Sequence, residues 1–551
     1  MKKKCIAAVL VGLILSTTMA GCKGNGSEVS KPDASSTTSE SSQGAESTSN
    51  IKPGEIVEIS MSVLDRGGIP AERGTYTDND AIDYMNEQME PKGVKISTVP
   101  VPRAQSRDKL NAMIAAGTAP DIIWEYSRPW MDQLRVQKVI LPIEDLIEKY
   151  STSYKEYYEE HKDLMESYLR LEDGKIYAFS SLRAANALPT AGVWYRQDLL
   201  DEVGAEVPST LEEVIEVSNK VKEKHPDIVP IAASYLHYLN IIKGTYGYFS
   251  NEIMKDGELI HPIFSDNYRD AMEMARKLYQ EKITDQEYLV DTTSARQQQL
   301  WTSGQAIFFF NSANMPGGTK EMVQTVDGAD PYPLPPLESQ YGQFMLTPQS
   351  ATRFYVMLNN KIDEKKQEAA IRYIDWVIAE GWKVINYGYE GQQYTLTEEG
   401  LRKSIPGAPK WPFGEMALLT QETFTFGQSK LGETDEKYQY LSERNDKGLK
   451  EMMSYPIPTG LPYDYSSDAY AEFTASFSPK IEEIEAKMVS EVDYSVEAGI
   501  KELQSIYEEL GGAEIWKEKN EWYQANKETL ANFAESYDAY KSSLLQNSVL
   551  E

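Results

Sequence analysis

Cysteine is nearly absent from this chain of 551 residues: its two thiols, Cys5 and Cys22, both fall within the first 22 positions. No disulfide can staple the remainder, so stability has to come from a packed core. Histidine is scarce too. His161, His225, His237 and His261 stand far apart with no pair at helical spacing, which argues against a histidine-built metal centre. Basic residues are outnumbered, 55 against 85 acidic, for a net charge of −30. That balance argues against nucleic acid as a partner, since phosphate binding rests on clustered Lys and Arg, and against adsorption to an anionic membrane face. A solvated acidic surface that keeps the chain soluble is its simplest use. Phenylalanine is under-used, 14 against 35 Tyr and 9 Trp. Tyr and Trp offer a flat apolar face with a polar tip, which suits a ligand apolar on one face and hydroxylated at its rim.

Long apolar runs are also missing. Ile6 to Leu15 is shorter than the ~20 residues a spanning helix needs, and no later stretch qualifies. It follows Lys2, Lys3 and Lys4 and precedes Met19-Ala20-Gly21-Cys22, so residues 1–21 read as a signal peptide ending in a lipobox. The expectation is a body held at the outer face of the cell membrane by acyl chains on Cys22. Enzyme motifs are lacking: there is no Walker A, HExxH or GxSxG pattern, and Gly317-Gly318-Thr319-Lys320 reads as a turn. Asp78-Asn79-Asp80 departs from a calcium loop at Ile82. Carboxylate pairs for glycoside hydrolysis stay open, because their separation is a tertiary quantity.

What is present begins with a tether. Residues 22–53 are Ser-, Thr- and Gly-rich with almost nothing apolar, and cannot build a core. Val57, Ile59, Met61 and Val63 then alternate with polar residues in the period of a strand. Val94 to Val101 reads as a second strand, Leu110, Met113 and Ile114 as a helical face ending at Gly117, and Asp121 to Trp124 as extended again. Ser209 and Glu212 suggest a capping box before a helix, Ile228 to Ala232 a strand, and Tyr268 to Tyr279 an amphipathic helix. Ala306 to Phe310 and Phe354 to Leu358 read as buried strands, and Asp363 as the cap of a helix that Gly381 should end. The last ~80 residues read as helical. Strands separated by helices predict an α/β protein with mixed, mainly parallel sheets, helices on both faces, and a helical C-terminal region.

Four segments carry a resemblance to extracellular solute-binding proteins of family 1, the maltose-binding-like receptors, and especially the large carbohydrate-binding lipoproteins of Gram-positive bacteria. They are Lys109–Asp121 (KLNAMIAAGTAPD); Asp173–Ala178 with Trp194–Leu200, Gly204 and Pro208–Glu213; Gly304–Phe308; and Tyr387–Thr395 (YGYEGQQYT). They occur in the family's order, while residues 401–480 match weakly. The resemblance implies a two-lobed periplasmic-binding-protein-like fold of type II, with residues 54–181 and 311–388 in one lobe and 182–310 and 389–551 in the other. It also implies an oligosaccharide held between the lobes, membrane-embedded permease subunits of an ABC importer as partner, a monomeric state, and neither catalysis nor cofactor.

Ligands of open α/β sheets lie beyond the carboxyl ends of the strands, and this rule selects candidate contacts. Asp65 and Arg66 end the first strand; Trp124, Glu125 and Tyr126 end the one after the Pro-Asp turn. Arg183 and Asn186 follow the first crossover, Tyr235 ends the strand from Ile228, and Trp301, Phe310, Asn311 and Asn314 surround the return crossing. Tyr389, Glu390 and Tyr394 come from the matched loop. Aromatics are expected to stack on sugar faces while Glu125, Arg66, Arg183 and Asn311 bond hydroxyls. A receptor for peptides or another non-sugar solute, and a surface glycan-cleaving lipoprotein, are the alternatives.

Overall fold

A computed structural model describes residues 49–248, 252–457, 465 and 467–550. The signal peptide, Cys22 and the tether up to residue 48 lie outside the described residues. Eight strands build two four-stranded sheets: β1 (Val57–Asp65), β2 (Val94–Pro102), β3 (Ile122–Glu125), β4 (Ala191–Arg196), β5 (Val229–Ala232), β6 (Ala306–Ser312), β7 (Pro331–Leu334) and β8 (Tyr355–Leu358).

The first sheet has the order β8-β3-β1-β2, with β2 and β3 parallel to β1 and β8 antiparallel to β3. The inner strands β3 and, in its carboxyl-terminal half, β1 are covered on both faces, while the edge strand β2 alternates between buried and exposed residues. Met61, Val63 and Leu64 are buried, and so is the intervening Ser62, whose hydroxyl accepts from the Trp124 amide at 3.2 Å. Towards its carboxyl end the polar side of the alternation in β1 therefore faces a second packed layer, whereas Glu58 is exposed and Ser60 half-buried. Asp121 of the Pro-Asp turn fastens β1 to β3: its carboxylate accepts from the Ser60 amide at 2.8 Å and pairs with Lys366 at 2.8 Å. The second sheet runs β5-β6-β4-β7, with β5 parallel to β6 and β4 antiparallel to both β6 and β7.

Several local signals shift by a residue or more. The cap before the helix Leu211–Lys224 is Thr210, which accepts from the Glu213 amide, while Glu213 reaches back to the Ser209 amide at 2.7 Å. Gly381 does not end its helix. The chain passes through a π-turn, Val377–Gly381, and continues over Trp382–Tyr387 until Gly388, at φ 77°. Gly381 is required instead for close packing, because a Cβ there would stand 2.7 Å from the Trp376 ring.

The lobe boundaries also shift. β7 pairs with β4, so the return to the first sheet comes after Leu334 rather than at residue 311. Segments 179–190 and 347–356 run side by side between the sheets. They are joined by the bridges Phe179 with Val356, Leu182 with Thr352 and Pro189 with Pro348, and by the Arg183 amide donating to the Ala351 carbonyl at 2.7 Å. Residues 389–422, expected in the second lobe, pack on the first: Trp411 donates to the Ile385 carbonyl and Glu415 pairs with Arg66. The tether boundary moves as well, since Ser49 donates to Glu368 at 2.8 Å and Ile51 is buried.

Three helices close the chain, Asp468–Ser490, Val496–Glu509 and Gly512–Gln546. The last touches both halves. Asn520 accepts from the Leu259 amide at 2.7 Å, while Phe533 packs on Tyr168 with centroids 4.8 Å apart. Its Tyr537 and Tyr540 hydroxyls donate to the carbonyls of Gln349 and Arg183 on the two crossing segments, at 2.9 and 2.5 Å.

Candidate functional site

The carboxyl ends of the first sheet converge on Tyr126. Strand β3 is buried through Glu125, so Tyr126, half-buried, is the first side chain to leave it. Arg66, just past β1, donates to the Tyr126 hydroxyl at 2.8 Å and pairs with Glu415 at 3.0 Å. Arg103, just past β2, lies over the Tyr126 ring at 4.7 Å. Phe354 meets the same ring edge-on at 4.9 Å and carries the Arg353 guanidinium 4.8 Å above its own. Burial, then the charge of Glu415, raise the Tyr126 hydroxyl pKa, so it stays a neutral donor and acceptor.

The neighbouring wall is built by residues 387–422. Arg402 stacks on the Tyr387 ring at 3.2 Å and pairs with Glu422 at 3.5 Å, and the Tyr387 hydroxyl donates to Glu422. Arg353 interacts electrostatically with Glu422, Tyr126, Tyr387 and Glu415, which joins this wall to the Tyr126 group. Arg183, on the facing crossing segment, donates through Nε to the Ser350 carbonyl at 3.0 Å and feels both Arg353 and Tyr126. Rings and forked donors on one surface can stack on a sugar face and bond its rim hydroxyls.

The sequence-predicted residues divide. Arg66, Tyr126 and Arg183 come together in this group. Trp124 does not present a face: it is 0% exposed, its indole N–H donates to the Ser62 carbonyl at 2.7 Å, and its ring lies 4.4 Å from Phe354. Glu125 turns inward, accepting from the Ser127 amide at 2.8 Å and the Ser106 hydroxyl at 3.1 Å, so its lone pairs are engaged. Asp65 is exposed and closes a turn by accepting from the Gly67 amide. Tyr389 lies 5.7 Å from Tyr84 and 5.5 Å from Trp411, half-buried among those rings. Tyr394 is half-buried and interacts electrostatically with Arg402, whereas Glu390 is exposed.

On the second sheet, Trp301 and Phe310 are fully buried. Trp301 stacks on Phe309 at 5.0 Å and donates to the Thr319 hydroxyl at 2.9 Å, a core role behind the sheet. Asn311 donates to Gln297 at 3.1 Å, and Asn314 donates to the Asn186 carbonyl at 2.6 Å, so Asn186 and Asn314 meet beside the crossing. Tyr235 lines a separate pocket of about 320 Å³ with Tyr288, Lys243, Glu482 and Glu485.

Sequence reasoning missed Arg103, Arg353, Phe354, Tyr387, Arg402, Glu415 and Glu422. The rule that selected Arg66 would have selected Arg103, which directly follows β2. Arg353 escapes the rule because it precedes an antiparallel strand, whose amino end lies at the same edge as its neighbours' carboxyl ends. Among the described residues no group of three His, Cys, Asp or Glu could hold a metal ion, and Asn79 caps the helix Asp80–Met89.

The profile of the bacterial extracellular solute-binding proteins matches residues 72–384. The fructooligosaccharide ABC transporter substrate-binding protein FusA of Streptococcus pneumoniae is 26% identical over 205 residues, 33% of this chain and 37% of that protein, so the match spans about a third of FusA. Lipoprotein LipO of Bacillus subtilis is 21% identical over 458 residues, 79% of this chain and 87% of LipO. The structure of FusA in complex with kestose superposes with a TM-score of 0.65 at 17% identity, over 86% of this chain and 99% of that one, a likeness of fold. With more than half its length matched by the profile and two sheets linked by paired crossing segments, the chain belongs to the bacterial extracellular solute-binding protein family.

Proposed function

We propose that this protein captures an oligosaccharide between its two lobes and delivers it to the permease of an ABC importer from a lipid anchor on Cys22. The observation that carries this reading is the Tyr126 group, where stacked rings and arginines gather at the strand ends of the first sheet, beside the segments that cross to the second. The similarity to FusA, a fructooligosaccharide-binding protein, supports a sugar as the ligand, and the similarity to LipO supports the lipoprotein character. Among the described residues no helix is long and apolar enough to cross a membrane. Micromolar capture needs about −8 kcal/mol, within reach of one or two stacks and several charge-assisted hydrogen bonds. Closing the lobes is driven only by the extra contacts the ligand makes in the closed form.

Calorimetric titration of the protein lacking its tether, with oligosaccharides in one series and peptides in another, tests the assignment. Saturable binding of an oligosaccharide without change to it is the expected result. Binding confined to peptides, or release of new reducing ends from polysaccharide, would overturn it.

A further inference from the structure

Three guanidinium groups in the Tyr126 group lack a carboxylate partner among the described residues, although the chain carries 85 acidic residues against 55 basic. Arg66 and Arg402 are paired, with Glu415 and Glu422 respectively. Glu125 is spent on backbone amides and Ser106, and Asp65 on the Gly67 amide. Arg103, Arg183 and Arg353 are left. All three are half-buried and no carboxylate lies within ion-pair distance of them, although Arg353 also feels the more distant charges of Glu422 and Glu415. Arg183 bonds only backbone carbonyls, at Ser350 (3.0 Å) and Arg353 (3.5 Å). Arg353 holds the Phe354 ring, and its Nη1 is buried with no partner; Nε of Arg103 is likewise buried and unpartnered.

Buried cations are ordinarily paired, because desolvation without compensation is costly. Here the Arg183 guanidinium, bonded only to backbone carbonyls, feels the charge of Arg353, while Arg353 feels Glu422 and Glu415 from beyond ion-pair distance. Burial pulls both pKa values down, joined at Arg183 by the charge of Arg353 and opposed at Arg353 by Glu422 and Glu415, yet an arginine stays protonated at neutral pH. An incoming anion would supply the partner that Nη1 of Arg353 and Nε of Arg103 lack. The planar guanidinium forks match carboxylate or sulfate oxygens in two-point contact.

We infer that the ligand is an acidic oligosaccharide, with a uronate carboxylate or a sulfate ester received between Arg183 and Arg353 beside Tyr126. This inference rests on the reading of the protein as a sugar receptor. Its neutral rings lie against Tyr126 and Tyr387 while Arg103 reaches the same anionic group or its neighbour.

The test is calorimetry at low and moderate salt with two pairs of probes: trigalacturonate beside its methyl ester, and a sulfated galactose trisaccharide beside its desulfated form, with kestose as a neutral reference. One charged probe should bind at least 10-fold more tightly than its own uncharged counterpart, with a preference that shrinks as salt rises; which pair responds separates carboxylate from sulfate. Arg353→Met should erase that preference, and Arg353→Lys should keep part of it. A merely structural Arg353 would lower the melting temperature and leave the preference intact. Binding of kestose with no preference in either charged pair overturns the inference and leaves the sugar-receptor reading standing; silence towards every probe counts against both.

Discussion

Replacing Trp124 by alanine separates a wall of the ligand site from a pillar of the core. The indole is fully buried between β1 and Phe354, and its N–H is the donor to the Ser62 carbonyl. Truncating a buried Trp to Ala costs ~3–5 kcal/mol in lost burial and residual cavity, and stranding a buried carbonyl adds ~1–3 kcal/mol. The sum is a large share of the ~5–15 kcal/mol that holds a typical fold. Trp124→Phe keeps most of the ring volume and loses mainly the donor, so it should cost only ~1–3 kcal/mol. Urea unfolding followed by far-ultraviolet circular dichroism is the suitable assay, because removing an indole confounds fluorescence. The midpoint should fall steeply for Trp124→Ala and modestly for Trp124→Phe, with little change in slope. Titration well below the variant's melting temperature should show an affinity within a few-fold of the parent. An unchanged midpoint combined with a loss of affinity beyond tenfold would refute the placement and put the indole against the ligand.

Arg66 offers the opposite case. Its pair with Glu415 is substantially exposed and worth ~1 kcal/mol or less, so Arg66→Ala should leave the melting temperature nearly unchanged while weakening ligand affinity by ~1–3 kcal/mol in calorimetry. His261 gives a pH signature: burial, then Lys519 and Lys243, depress its pKa to about 3, against 6.5 normally. Below pH 6.5 the unfolded chain takes up a proton that the folded chain refuses, so stability is lost as pH falls towards 3, at up to ~1.4 kcal/mol per pH unit. His261→Asn keeps an acceptor for the Ile263 amide and should flatten the pH dependence of unfolding in that window by about one proton; an unaltered slope would disprove the assignment. Lys519 and Glu252 form a buried pair at 2.8 Å, with side chains 2% and 8% exposed. Lys519→Met should destabilise by ~3–5 kcal/mol, and adding Glu252→Gln should recover much of that in chemical unfolding.

The amino-acid sequence by itself determined which stretches became strands and helices, because each must hide an apolar face whose period is visible along the chain. Val57 to Val63 and the helical tail from residue 468 were legible for that reason. So was the strand end that delivers Arg66 and Tyr126, since the point at which a buried run stops is a local property. The family order of Pro-Asp turn, crossover and return strand was legible in the same way, as each motif serves a local backbone need such as the tie from Asp121 to Ser60.

Only the tertiary structure decided what those residues face. Trp124 and Trp301 carry the composition expected of sugar-stacking walls, but neighbours distant in sequence, Phe354 for one and Thr319 for the other, cover them. The reverse happened at Arg353. Its strand runs antiparallel to β3, and strand direction is set by pairing with a segment more than 200 residues away, so nothing near Arg353 announces that it arrives beside Tyr126. Residues 389–422 likewise joined the first lobe through long-range contacts of Trp411 and Glu415. Periodicity is written in neighbours along the chain, whereas a binding surface is assembled from side chains that meet only after the sheets have formed.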